Sequence, residues 1–79
     1  MAFYVAVTKI EESAVSARYR FETASDRVGL FEINKTTGDV VLLEPMAGDE
    51  NEHCFNRAAV KVLRGWREGQ LPEFTEWAS

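Results

Sequence analysis

The apolar residues of this chain change their period once, at Pro45. Before that proline they recur at every second position, as side chains do on one face of a strand. After it they recur at spacings of three and four, as on one face of a helix. A chain with strands first and a helix afterwards is expected to be α+β, built on an antiparallel sheet, because the short links between its strands suit hairpins rather than crossovers.

Strands are expected at about residues 3–10, 15–23, 28–34 and 39–44. The second alternates most cleanly. Val15, Ala17, Tyr19 and Phe21 share one face, and Ser16, Arg18, Arg20 and Glu22 share the solvated one. In the first strand Phe3, Val5 and Val7 oppose Tyr4, Ala6, Thr8 and Ile10. In the third, Phe31 and Ile33 oppose Leu30 and Glu32. The fourth, VVLLE, is apolar at both parities and is stopped by Pro45, which cannot donate to a ladder. Between the last two strands, NKTTGD suits a hairpin loop. Asn34 opens the turn, and Gly38 is its structural residue, free to take the left-handed conformation that closes it.

A helix is expected at about residues 50–67. Asp49 or Asn51 would cap it, and Glu50 and Glu52 would complement its dipole. Phe55, Ala59, Val62 and Trp66, widened by Ala58 and Leu63, form its apolar stripe. Gly69 stops the helix and Pro72 prevents it from resuming, leaving residues 70–79 as a tail with Phe74 and Trp77. The architecture is therefore ββββα in a single domain of residues 1–79: a four-stranded meander with its C-terminal helix on one face. Phe3, Val5, Val7, Val15, Ala17, Tyr19, Phe21, Phe31, Ile33, Val41 and Leu43 are expected on the covered face. Tyr4, Ile10, Leu30, Val40 and Leu42 are expected on the reverse face, to be capped by Phe74 and Trp77 or by another chain.

Domains this small often depend on a staple. Cys54 is the only cysteine, which rules out an intrachain disulfide, and with His53 as the only histidine a four-ligand Cys/His zinc site within one chain is excluded. Self-association is the remaining staple. The free thiol, and an N-terminal run MAFYVAVTKI that lacks a basic leader and reads as a strand, point to a reducing cytoplasm and away from membranes. The chain has the look of a small bacterial protein.

Chemistry-bearing residues are few. His53 and Cys54 are the one pair of reactive types, but neighbours on a helix point about 100° apart, and Cys54 borders the apolar stripe. Cys54 reads as packing and His53 as surface. Glu11, Glu12, Asp49, Glu50 and Glu52 read as turn and cap residues, without the spaced oxygen ligands of a calcium loop. There is no glycine-rich phosphate loop and no nucleophile elbow, so neither catalytic residues nor a cofactor are expected. Arg57, Lys61 and Arg64 form a basic stripe on the helix, and Arg18 and Arg20 project from the second strand. Together they are the candidates for nucleic-acid contacts. The net charge of −4, shared evenly along the chain, and the lack of an RNP-like pattern argue against that use.

FEINKTTGDVVLLE resembles a stretch of cadherin repeats at Phe31, Ile33, Thr37, Gly38 and Val40. That family would imply an extracellular, calcium-binding, seven-stranded sandwich. This chain is too short for one, has a helical segment and lacks the acidic calcium-linker motif, so the hairpin reading is kept. The expected function is a non-enzymatic interaction module, docking a protein partner or a second copy through Tyr4, Ile10, Leu30, Val40, Leu42, Phe74 and Trp77.

Overall fold

The computed structural model describes residues 4–24, 26–49 and 51–78. Phe3 and Glu50, assigned above to the covered face and to the helix dipole, lie outside the described residues. Four strands come first: β1 (Tyr4–Glu12), β2 (Ser16–Glu22), β3 (Val28–Asn34) and β4 (Val40–Glu44). The helix α1 (His53–Arg67) and a fifth strand, β5 (Phe74–Ala78), follow. All neighbours are antiparallel, in the order β4-β3-β2-β1-β5. The α+β class, the meander and the single helix on one face are as expected. The tail is different: it forms a fifth strand beside β1 instead of capping the reverse face. In crossing from β4 to β5, the chain carries α1 over the sheet from one edge to the other.

The hairpin between β3 and β4 is closed by its own side chains. Asn34 Oδ1 accepts the N–H groups of Thr36 (2.8 Å) and Thr37 (3.0 Å), Gly38 N–H donates to Asn34 C=O (2.8 Å), and Gly38 has φ +83°. This loop pairs Ile33 with Val40 and Phe31 with Leu42. Cross-strand partners share a face. Val40 and Leu42 therefore pack on the core beside Ile33 and Phe31, while Val41 is 57% and Leu43 44% exposed. The expected faces of β4 are reversed, because a one-residue change of parity flips every side chain. Val15, expected in the core, lies before β2 in the turn and is exposed.

β1 carries a bulge at Ile10. Lys9 pairs with Tyr19, and Glu11 pairs with Arg18, so Ile10 has no partner. The extra residue resets the alternation. It places Glu11 on the reverse face and brings both Lys9 and Glu12 to the helix side.

The core lies between sheet and helix. Val5, Val7, Ala17, Tyr19, Phe21, Phe31 and Ile33 from the sheet meet Cys54, Ala58 and Val62 from α1, with Met46 buried beside them. Tyr19 and Phe31 stack at 5.5 Å, and Phe55 meets the edge of Phe31 at 5.8 Å. Gly29 is Phe21's partner across the ladder, and a Cβ there would stand 2.4 Å from the Phe21 ring. The helix starts three residues later than expected. Glu52, at φ 55°, precedes it without a side-chain cap, and Asp49 does the capping from the turn. Its carboxylate oxygens accept the N–H groups of Cys54 (2.9 Å) and Phe55 (3.1 Å), satisfying two donors of the first turn. Gly69, at φ +89°, closes the other end.

Candidate interaction surfaces

One helix covers one face of the sheet, and the reverse face has no element over it among the described residues. Its ladder rows follow from the registers. Leu30, Arg20, Thr8 and Phe74 line up across β3, β2, β1 and β5. Beside them run Val41, Glu32, Arg18 and Glu11, and on the other side Val28, Glu22, Ala6 and Glu76. Val28, Leu30, Val41 and Leu43 are the apolar groups of a flank on β3 and β4 that is interrupted by Glu44, the ladder partner of Leu30, and Tyr4 and Phe74 make a smaller one on β1 and β5. Charges fill the middle. Arg18 reaches Glu11 (3.6 Å) and Glu32 (3.5 Å), and Arg20 reaches Glu22 (3.5 Å). Tyr4 Oη donates to Glu76 (2.9 Å), which raises the phenol's pKa by favouring the protonated donor.

Of the residues expected to form an interface, Tyr4, Leu30 and Phe74 share this face, and Ile10 sits on the bulge. Val40, Leu42 and Trp77 do not belong to it. Val40 and Leu42 pack on the core, and Trp77, the partner of Val5, lies on the helix side under Arg57, whose guanidinium carbon is 5.1 Å from the ring centroid. Phe74 and Trp77 are three apart on one strand and so point to opposite faces. The basic residues are divided likewise. Arg18 and Arg20 are on the reverse face, whereas Arg57, Lys61 and Arg64 are on α1, so no single surface presents all five.

His53 is exposed at the first position of α1, and Cys54 is buried. Burial pushes the Cys54 thiol up, and the nearby Asp49 carboxylate adds to the shift, the reverse of what an activated thiolate needs. No group of three or more His, Cys, Asp or Glu among the described residues is placed to hold a metal. No helix among them is long and apolar enough to cross a membrane.

The helix side carries a charged cluster that the spacing of residues does not announce. Glu12 takes Lys9 on one oxygen and Lys35 on the other, each at 2.6 Å, and Lys9 also reaches Glu73 at 3.1 Å. Lys35 first, then Lys9, hold the Glu12 carboxyl down to about 2. Beneath them Tyr19 Oη donates to Pro72 C=O (2.6 Å), and burial pushes its pKa up to about 12. Lys9, Glu12 and Lys35, with Trp66, Gln70 and Leu71, border a groove of about 450 Å³. Both of its ammonium groups are already paired, Lys35 with Glu12 and Lys9 with Glu12 and Glu73, so neither is left unpaired for a ligand. The cluster depends on the bulge at Ile10, and the alternation of β1 gives no sign of that bulge.

Comparison with protein-family models, with curated proteins and with solved structures returns no match.

Proposed function

We propose that this chain is a small non-enzymatic interaction module that docks another protein on the uncovered face of its sheet. The observation that carries the reading is the flank formed by Val28, Leu30, Val41 and Leu43. Its apolar groups lie on two neighbouring strands and are exposed or half-buried, in a chain whose other sheet face is covered by the helix. Five strands about 4.8 Å apart and about seven residues long present roughly 500 Å². That is below the roughly 800 Å² per partner of a standard stable interface, which suits reversible association.

Charge argues for a different protein over a second copy. Glu11, Glu22, Glu32 and Glu76 outnumber Arg18 and Arg20 on this face. Two such faces brought together would set like charge against like, at a cost. The complementary surface is apolar on one side and carries Lys or Arg toward its centre.

The test is site-specific photo-cross-linking in the producing cell, with p-benzoylphenylalanine at Val41 or Leu43 and at Val60, an exposed apolar residue of the helix, as control. The expected result is one protein captured from both β4 positions and not from Val60. That protein, purified, should bind about tenfold more weakly to Leu43→Asp. Equal capture at Val60, or no adduct at Val41 and Leu43, would remove the reading. Capture of this chain alone would give the face to a second copy.

A further inference from the structure

The strongest unused feature is the free edge of β5 beside the basic stripe of α1. The N–H of Lys9 donates to the C=O of Glu73 (2.9 Å), and this bond extends the β1–β5 register outward from Thr8↔Phe74. In an antiparallel ladder alternate residues bond to the neighbour strand. Thr75 and Trp77 thus bond inward to β1, and Phe74, Glu76 and Ala78 turn their amide groups outward. On the helix side, Arg57 lies over Trp77, and Lys61 and Arg64 border a groove of about 430 Å³ with Thr75 and Glu73. The stripe therefore runs alongside the edge. None of Arg57, Lys61 and Arg64 makes an ion pair among the described residues, whereas the carboxylate of Glu73 is already held by Lys9. Glu68, also on the groove, is the one acidic side chain there without such a partner.

We infer that the β5 edge accepts an extended acidic segment of another protein as a sixth strand, with its alternate carboxylates meeting Arg57, Lys61 and Arg64. The spacings match. Side chains two apart on a strand are about 6.8 Å apart, and helix residues three and four apart rise about 4.5 and 6 Å, within reach of long flexible cations. Main-chain bonds to Phe74, Glu76 and Ala78 supply affinity, and the charges select acidic over basic sequences. This site uses the edge amides of β5 and the stripe of α1, at the opposite edge of the sheet from the flank on β3 and β4, and does not depend on that flank.

The probe is a Thr-Glu-Val-Glu-Val-Glu-Thr peptide titrated into the full chain, with a second peptide carrying Lys for Glu and a third N-methylated at alternate residues. Amide exchange at Phe74, Glu76 and Ala78 should slow when the acidic peptide binds, and affinity should fall with added salt. The Lys and N-methylated peptides should each bind at least about tenfold more weakly. Lys61→Glu with Arg64→Glu, at a half-buried and an exposed position of α1, should reverse the preference between acidic and basic peptides. Leu43→Asp should leave binding unchanged, which separates this site from the sheet face. Unslowed exchange at the three amides, equal binding of the Lys peptide, indifference to the charge reversals or weakening by Leu43→Asp would each overturn the proposal. So would an oligothymidylate that binds more tightly than the acidic peptide, since it would assign the stripe to nucleic acid.

Discussion

Gly38 answers to two constraints, and only one can be read from the sequence. The turn needs a left-handed residue, which NKTTGD already suggests. The second constraint comes from 28 positions further on: Trp66 donates from Nε1 to the Lys35 C=O (2.8 Å) and lays its ring against Gly38, where a Cβ would stand 2.6 Å from it. Gly38→Ala is therefore expected to cost about 2 kcal/mol or more, above the penalty for positive φ alone. Urea unfolding followed by circular dichroism would measure it, and a loss confined to a few tenths would refute the Trp66 contact. Glu12 gives a pH prediction. Its folded-state pKa, about 2, lies below the ordinary value of 4.5, so its contribution is present above 4.5 and fades as pH falls toward 2. Glu12→Gln should flatten the decline of the urea midpoint in that window. An unchanged slope would mean that the two lysine contacts do not persist in solution. No pattern in residues 9–12 reveals this pairing, because strict alternation sets Lys9 and Glu12 on opposite faces and only the bulge unites them.

Among the elements, β2 and α1 are legible in the sequence, β4 is legible in its span but not in its faces, and β5 is not legible at all, for different reasons. β2 is apolar at one parity alone, so its face is fixed wherever its neighbours lie. β4 is apolar at both parities, and the loop that pairs Ile33 with Val40 decides which pair is covered. That choice is measurable. Leu42→Ala should cost about 2 kcal/mol and Leu43→Ala less than about 0.5, since only the first removes core contacts. Equal losses, or the reverse order, would mean that the hairpin closes one residue out of register. FTEWA carries strand-favouring Phe, Thr and Trp but splits its aromatics between faces, and an edge strand needs no apolar alternation. Its pairing with β1 is long-range and leaves no local signal.

For the whole molecule, one helix for one sheet is enough to predict an uncovered face, and alternation alone places Tyr4 and Leu30 on it. What covers that face depends on charge and area, which exist only once the strands are in order. The flank of Val28, Leu30, Val41 and Leu43 invites association, and the excess of Glu11, Glu22, Glu32 and Glu76 over Arg18 and Arg20 opposes a like partner. The central claim is that this face is held for a different protein. Sedimentation velocity of the purified chain from micromolar to millimolar concentration tests it most directly. The account predicts a single monomeric species throughout at low salt, where like charge opposes a second copy unscreened. A concentration-dependent dimer that Leu43→Asp abolishes would contradict it.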